Sequence, residues 1–438
     1  MRLPGVDPDR PPPGPFRHTF WRSPLRGPWL TAVLGLGLLI TIPVIAVTGF
    51  LSNDAYNPSL GGNSVGRHLG LLDFYLFRWP AHPSWLYALT QGTHVTLGLA
   101  VFPILLAKLW SVIPRLFEWP PVRSPAHALE RLSLAFLVGG ALFEFATGML
   151  DIQYAYLFKF FFTNAHYYGA WVFSAAFAFH AAIKLATMRA SLAARRELRP
   201  LMSDLAHTRS EGDAGAMGAT APSSDLIAPA PAAASMSRRA LLGTVGAGSA
   251  FLLVQGLGDS LGGPLRKLAI LGPRDRFGPG PNGFSVNRTA AAAEITAQEV
   301  GPGWRLLLRS PRRSLSLSRA QLEAMPQHTY ELPIACVEGW STTQRWTGVR
   351  VRDLAALVDV SGEALATATS LEKDGVFSAA TLDPNEVSAD AMLLALHVNG
   401  TPLSLDHGYP ARIIGPALPG VHCTKWVGQI AFTELRSA

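Results

Sequence analysis

Four apolar runs of about twenty residues constrain this chain more than any chemical motif does, because each is long enough to cross a bilayer as a helix. They lie at 29–51, 85–110, 132–150 and 166–188. Across the 438 residues, 49% are apolar and only 15% are charged, too oily for an ordinary soluble enzyme of this size. Pro43 and Pro103 fall inside spans, where neighbouring helices can compensate for a lost backbone bond. Trp29, Trp85 and Trp110 stand at run ends, as an interfacial aromatic belt requires.

Basic residues fix the orientation. Arg2, Arg10, Arg17, Arg22 and Arg26 precede the first span, and Arg115, Arg123 and Arg131 separate the second from the third. Arg189, Arg195, Arg196 and Arg199 follow the fourth. The two remaining loops are poor in Lys and Arg, so the N-terminus and the region after span four face the cytoplasm. The net charge of +7 therefore reports membrane topology, and no nucleic-acid partner is expected.

The chain divides by composition. Residues 1–28 form a basic, proline-rich cytoplasmic tail, too long to be an ordinary cleavable signal peptide, and 29–190 carry the four spans. Residues 191–236 are a flexible cytoplasmic linker, with an Ala/Pro/Gly/Ser composition that cannot bury a core. A fifth apolar segment at 237–258 begins Ser-Arg-Arg, with Leu241 and Leu242 behind Arg238 and Arg239. This resembles a twin-arginine export signal, favoured by the mildly apolar, glycine-rich run behind the arginines; the plainer alternative is that the two arginines merely anchor the inner end of a fifth span. Export through the twin-arginine translocase carries folded, cofactor-loaded domains, which would place residues 260–438 outside the cytoplasm of a bacterial cell.

Three histidines lie within spans: His94 in the second, His166 and His180 in the fourth. Ionisable groups in a bilayer are functional by default, although a histidine bonded across a helix interface is the plainer alternative. Two imidazoles on facing helices can clamp a haem iron. Spans two and four run in the same direction, and a modest offset of their ends would bring His94 and His180 level. One haem b held by His94 and His180 is expected, with His166 a weaker option for a second. In span count and histidine placement the four spans resemble a cytochrome b561-type module, which implies electron transfer with quinone. Glu144 is a further costly intramembrane group, for proton or quinone handling or for a helix–helix bond.

From 284 onward short β-rich runs alternate with turns. Residues 304–310, 330–337, 392–400 and 426–435 read as strands, Asn399-Gly400 as a hairpin turn, and Ser318 with Gln321 as a capping box. This is a mixed α+β domain. One of its two cysteines, Cys336, sits in "IACVEGWSTTQRWTG" at 334–348. A lone cysteine in an apolar run is ordinarily a small buried side chain.

Three motifs in order, "FSVNRTA" (284–290), "CVEGWSTTQRWTGVRVRDL" (336–354) and "LDHGYPARIIGPALPGVHCTKWVGQIAF" (405–432), resemble the molybdopterin domain of the sulfite oxidase family. The resemblance implies that Cys336 gives a thiolate to molybdenum. It also implies that Asn287, Arg288, His407, Arg412, Cys423, Thr424 and Lys425 lie along the pterin and its phosphate, while Glu338 and Trp340 shape the loop. A disulfide would consume the metal ligand, so Cys423 is expected as a free thiol.

The expected fold is an all-α transmembrane bundle of four spans plus an anchor span, followed by a mixed α+β sulfite oxidase-type domain. The expected function is a membrane-bound, Mo-molybdopterin-dependent oxidoreductase transferring an oxygen atom to or from a sulfite- or sulfoxide-class substrate. The alternative from another class is a membrane cytochrome whose tail is a cofactor-free binding or assembly module.

Overall fold

The computed structural model describes residues 7, 10–63, 75–153, 157–160, 162–193, 201, 204–211, 226–272, 280–373, 375 and 377–435. Five of its helices are long and apolar enough to cross a membrane: α1 (Pro28–Asp54), α2 (Leu86–Leu116), α3 (Pro125–Ile152), α4 (Phe162–Ala193) and α5 (Arg238–Leu261). Helices α1, α3 and α4 cover the corresponding sequence-expected runs, and α2 and α5 cover all but the first residue of theirs. Pro43 and Pro103 are accommodated within helices α1 and α2.

The chain forms two units. The first comprises Met1–Ala46, Leu97–Met149 and Ala165–Leu253. Its core includes Leu38, Ile42, Val101, Leu105, Ala141 and Phe173, drawn from α1 to α4. The α1 N-terminus is capped from far along the chain, because the Glu211 carboxylate accepts the Trp29 and Leu30 N–H groups at 2.9 and 3.3 Å. A carboxylate there satisfies orphan amides and meets the positive end of the helix dipole. Arg238 is buried beside it and donates to the carbonyls of Pro24 (2.8 Å) and Arg209 (2.9 Å).

The second unit comprises Val47–Thr96, Leu150–Asn164 and Val254–Ala438. Among the described residues its β-structure is two five-stranded sheets. One has the order β2-β1-β10-β5-β6, built from β1 (Arg305–Arg309), β2 (Ser314–Ser318), β5 (Ala364–Ser370), β6 (Ala379–Leu382) and β10 (Val427–Glu434). In it β1 and β10 run parallel and the other pairs antiparallel. The other sheet runs β3-β4-β7-β8 with β9 also on β7, using β3 (His328–Ala335), β4 (Ser341–Arg350), β7 (Leu393–Val398), β8 (Thr401–Pro402) and β9 (Arg412–Ile414).

Short helices α6 (Arg319–Glu323), α7 (Val351–Ala356) and α8 (Pro384–Ser388) connect the strands. Alternating inward residues of both sheets, among them Leu306, Leu308, Trp346, Leu394, Ile413 and Ile430, form one core. Ser318 and Gln321 make the expected capping box, and Asn399-Gly400 turns β7 into β8 with both residues at positive φ.

The sequence ranges assign 29–190 to the spans, yet the segment between α1 and α2 belongs to the second unit and is bonded to its strands. Asn57 donates to Asp383 (2.8 Å), and Asn63 both donates to the Thr381 carbonyl and accepts its N–H (2.9 and 2.7 Å). The Trp79 indole donates to the Ala417 carbonyl at 2.9 Å.

Candidate active site

Strand β3 ends at Ala335, so Cys336 opens the following loop; the sequence reading had placed it inside the strand. That loop is a tight turn in which the Gly339 N–H donates to Cys336 O (3.0 Å) and the Cys336 N–H to Trp340 O (2.9 Å). Glu338 is buried between two donors, the Cys336 thiol at 3.1 Å and the Trp340 indole at 3.1 Å. Burial pushes the Glu338 carboxyl up to about 8, so it can hold a proton against a thiolate.

Helix ends brace the loop from outside the sheets. Gln91 on α2 donates to Val337 O at 2.5 Å, and Ser260 on α5 donates to Gly339 O at 2.8 Å. Gly339 has φ +93°, and a β-carbon there would lie 2.7 Å from Val95, so only glycine fits both the turn and the close approach.

The opposite wall is the segment from η-turn residues 405–407 to β10. The Gly420 N–H donates to Ala335 O at 2.7 Å, bringing the 419–425 loop against the root of Cys336. Arg412 is 3% exposed, and its terminal nitrogens donate to His407 O (3.2 Å) and Cys423 O (3.1 Å). Its Nε is buried without a hydrogen-bond partner, and among the described residues no carboxylate lies within ion-pairing distance. His422 is equally buried, and its Nε2 also has no partner. Lys425 donates to Asn287 Oδ1 (3.4 Å), to Asp406 O (3.0 Å) and to Arg288 O. Burial, reinforced by the Arg412 charge, pushes its ammonium down to about 7.

The sequence-expected residues thus fall into groups. Arg412, His407 and Cys423 meet through backbone carbonyls, and Lys425 meets Asn287 and the Arg288 backbone. The Arg288 side chain turns instead to Glu372, at 2.5 Å. Both His407 ring nitrogens face protein atoms, Ser404 Oγ at 3.1 Å and Ser285 O at 3.3 Å, and its ring stacks on Phe284. Burial first, then Arg412, lowers His407 to about 3, so it is neutral. Thr424 is buried beside His422. Neither cysteine is in a disulfide, and Cys423 is the expected free thiol.

The donor set suits a pterin-held metal. Among the described residues no group of three or more His, Cys, Asp or Glu could hold a metal alone, whereas one thiol, the buried Arg412 guanidinium and the half-buried Lys425 ammonium suit a metal brought by an anionic cofactor. Sequence reasoning misses His422 and Gln91. The first looks like a loop residue, and the second lies more than two hundred residues from Cys336 with no local signal.

Of the histidines expected in spans, His94 falls in the second unit and His180 in the first. A β-carbon on Gly49 would lie 2.7 Å from the His94 ring, so that glycine makes room for the imidazole. His166 Nδ1 faces Thr147 Oγ1 at 3.0 Å and Glu144 Oε2 at 3.2 Å, so Glu144 bonds a neighbouring helix.

Residues 294–438 match the family described as "Oxidoreductase molybdopterin binding domain". The chain is 35% identical over 119 residues to the uncharacterized oxidoreductase YuiH of Bacillus subtilis, covering 27% of this chain and 59% of the relative. It is 30% identical over 149 residues to mouse mitochondrial sulfite oxidase, covering 27% of each. It is 28% identical over 159 residues to the NADH nitrate reductase of Volvox carteri, covering 28% of this chain and 18% of that one. Among solved structures it matches the sulfane dehydrogenase SoxCD of Paracoccus pantotrophus at 21% identity and a TM-score of 0.28, over 31% of this chain and 39% of that one. The chain therefore spans little more than half of the bacterial relative and about a quarter of the mouse enzyme. Residues 294–438 are a sulfite oxidase-like, molybdopterin-binding oxidoreductase domain.

Proposed function

We propose that this chain is a membrane-bound molybdenum oxidoreductase whose C-terminal site carries out a two-electron oxygen-atom transfer, X + H2O to XO + 2H+ + 2e−, or its reverse. The observation that carries this reading is Arg412, a buried cation with no carboxylate partner among the described residues, on the wall facing the Cys336 loop. A buried charge left unmatched is costly unless a ligand supplies the counter-charge, and the phosphate of molybdopterin supplies one.

Cys336 would give the protein's sulfur to molybdenum, and Arg412, Lys425, Asn287, Thr424 and the 420–425 backbone would hold the pterin and its phosphate. When bound, the Mo-pterin supplies the redox change and the oxygen-transfer chemistry. The chain's own residues set the geometry: Glu338 holds the sulfur and the Trp340 indole in one bond network, and Gln91 and Ser260 fix the loop. In the same reading His94 and His180 would hold haem b, with His166 for a second, and that group would supply one-electron transfer with quinone in the bilayer. Arg238 and Arg239 direct export of the domain by the twin-arginine translocase to the extracytoplasmic face. The substrate class is sulfite or a sulfoxide.

The test is metal analysis of detergent-purified protein together with Cys336→Ser. Wild type should contain molybdenum, and the variant should lose the metal–thiolate feature in X-ray absorption and fall to about 1% of wild-type dye-coupled activity or less. An unchanged sulfur shell in the variant would reject Cys336 as the ligand.

A further inference from the structure

The second unit carries two tyrosines that neither the family resemblance nor the reading above employs. Tyr87, on the first turn of α2, is 1% exposed, and Tyr56, just beyond the end of α1, is half-buried. Their hydroxyl oxygens are 3.1 Å apart and their rings meet edge to face. Tyr87 belongs to one small core with Ala335 and Ala417, and Tyr56 packs against that core. Ala335 is bonded to Cys336, and Ala417 leads into the 419–425 loop. On its other side the Tyr56 ring meets the edge of His422 at 5.5 Å. The pair therefore fills the corner between the two walls described above.

Counting donors exposes what is missing. Two phenols carry two O–H protons and one mutual bond uses a single proton. Among the described residues neither hydroxyl has another hydrogen-bond partner. A buried O–H with no acceptor costs on the order of 1–3 kcal/mol, so its persistence marks a place where an acceptor arrives. The neighbouring His422 Nε2 is likewise buried and without a partner. One spare phenolic proton and one orphan ring nitrogen, on segments brought together from opposite ends of the sequence, converge beside the Cys336 loop. Burial, with the Cys336 sulfur adding to it, pushes the Tyr56 phenol well above its ordinary value, so it stays protonated and acts as a donor.

We infer that Tyr56 donates its O–H to the oxygen being transferred at the Cys336 site, with Tyr87 donating to the Tyr56 oxygen to orient it. Tyr56 is then a catalytic residue contributed by the segment between the first two spans, and Tyr87 is a positioning residue. The acceptor is an oxyanion or a sulfoxide-type oxygen, whose growing negative charge a fixed phenol would stabilise. This rests on the oxygen-transfer reading of the site.

The experiment uses the full chain in detergent, with sulfite and an acceptor dye or dimethyl sulfoxide and a donor dye as probe. Tyr56→Phe should lower kcat by about a hundredfold with KM within about threefold, while Tyr87→Phe should lose about tenfold or less. Independently of turnover, the Mo(V) electron paramagnetic resonance signal of chemically reduced enzyme should change its exchangeable-proton coupling in Tyr56→Phe. Where Tyr56→Phe fails to fold, wild-type protein grown on fluorotyrosine decides: a fluorine coupling to the Mo(V) signal that survives Tyr87→Phe supports the assignment, and its absence overturns it. A Tyr56→Phe enzyme with molybdenum bound, an unchanged signal and kcat within about twofold overturns it alone. Molybdenum-free wild type overturns the oxygen-transfer reading and this inference together.

Discussion

The helical unit and the C-terminal unit each bury an arginine, Arg238 at 4% exposure and Arg412 at 3%, and settle its charge differently. Both donate to two backbone carbonyls. Arg238 also has the Glu211 carboxylate at 3.8 Å, and Glu211 is itself fixed by capping α1. Arg412 has no carboxylate among the described residues, and its Nε faces no acceptor. Equal burial with unequal pairing separates a charge that holds the fold from one that awaits a ligand.

Replacing both arginines by methionine puts that contrast under the greatest strain. Arg238→Met leaves Glu211 buried without its partner and should destabilise the helical unit by about 3 kcal/mol. Arg412→Met removes an unmatched charge, so the cofactor-free protein should unfold no earlier than wild type, while molybdenum content falls about tenfold or more. Thermal unfolding of protein from cofactor-deficient cells, with metal analysis from replete cells, gives both readings. Equal destabilisation by the two variants would erase the distinction.

Lys425 sharpens the comparison through pH. Its ammonium is pushed down to about 7 by burial and then by Arg412, against about 10.4 in the unfolded chain. Between those values the unfolded chain holds more protons, so the cofactor-free fold gains stability as pH rises. A phosphate needs the charged ammonium, so cofactor affinity should weaken by up to about tenfold per pH unit above 7. Molybdenum retained after dialysis at rising pH measures this. Lys425→Arg, which keeps its charge, should flatten the dependence. A slope identical in the variant would remove Lys425 from the phosphate site.

The two regions also differ in how far their sequences can be read. Helices α1 to α5 are legible because one physical requirement, apolar length, sets them. The Ser318–Gln321 box and the Asn399-Gly400 turn are legible because their causes are local. The Cys336 motif reveals the chemistry, although the strand ends one residue before the sulfur. What stays hidden is tertiary. Asn57 and Asn63 bond partners 326 and 318 residues away, and Gln91 reaches Val337 across 246. No periodicity or propensity in the loop between α1 and α2 announces that it lies against the C-terminal strands. For the same reason Tyr56 and His422 read as loop residues until the fold brings them together.

The smallest expected effect concerns the second cysteine. Sequence reasoning groups Cys423 with the cofactor-binding residues, and its backbone carbonyl does accept from Arg412. Its sulfur, however, belongs to the hydrophobic core at 2% exposure, and burial pushes the thiol up to about 11. A side chain so placed packs and does not ionise. Cys423→Ala should therefore cost about 1 kcal/mol of stability, as a small core truncation does, while molybdenum content and turnover stay within about twofold of wild type. The same assays separate it from Cys336→Ser. A Cys423→Ala protein that lost its metal while its unfolding temperature held would mean that the sulfur takes part in binding, and that both walls of the site offer the cofactor a thiol.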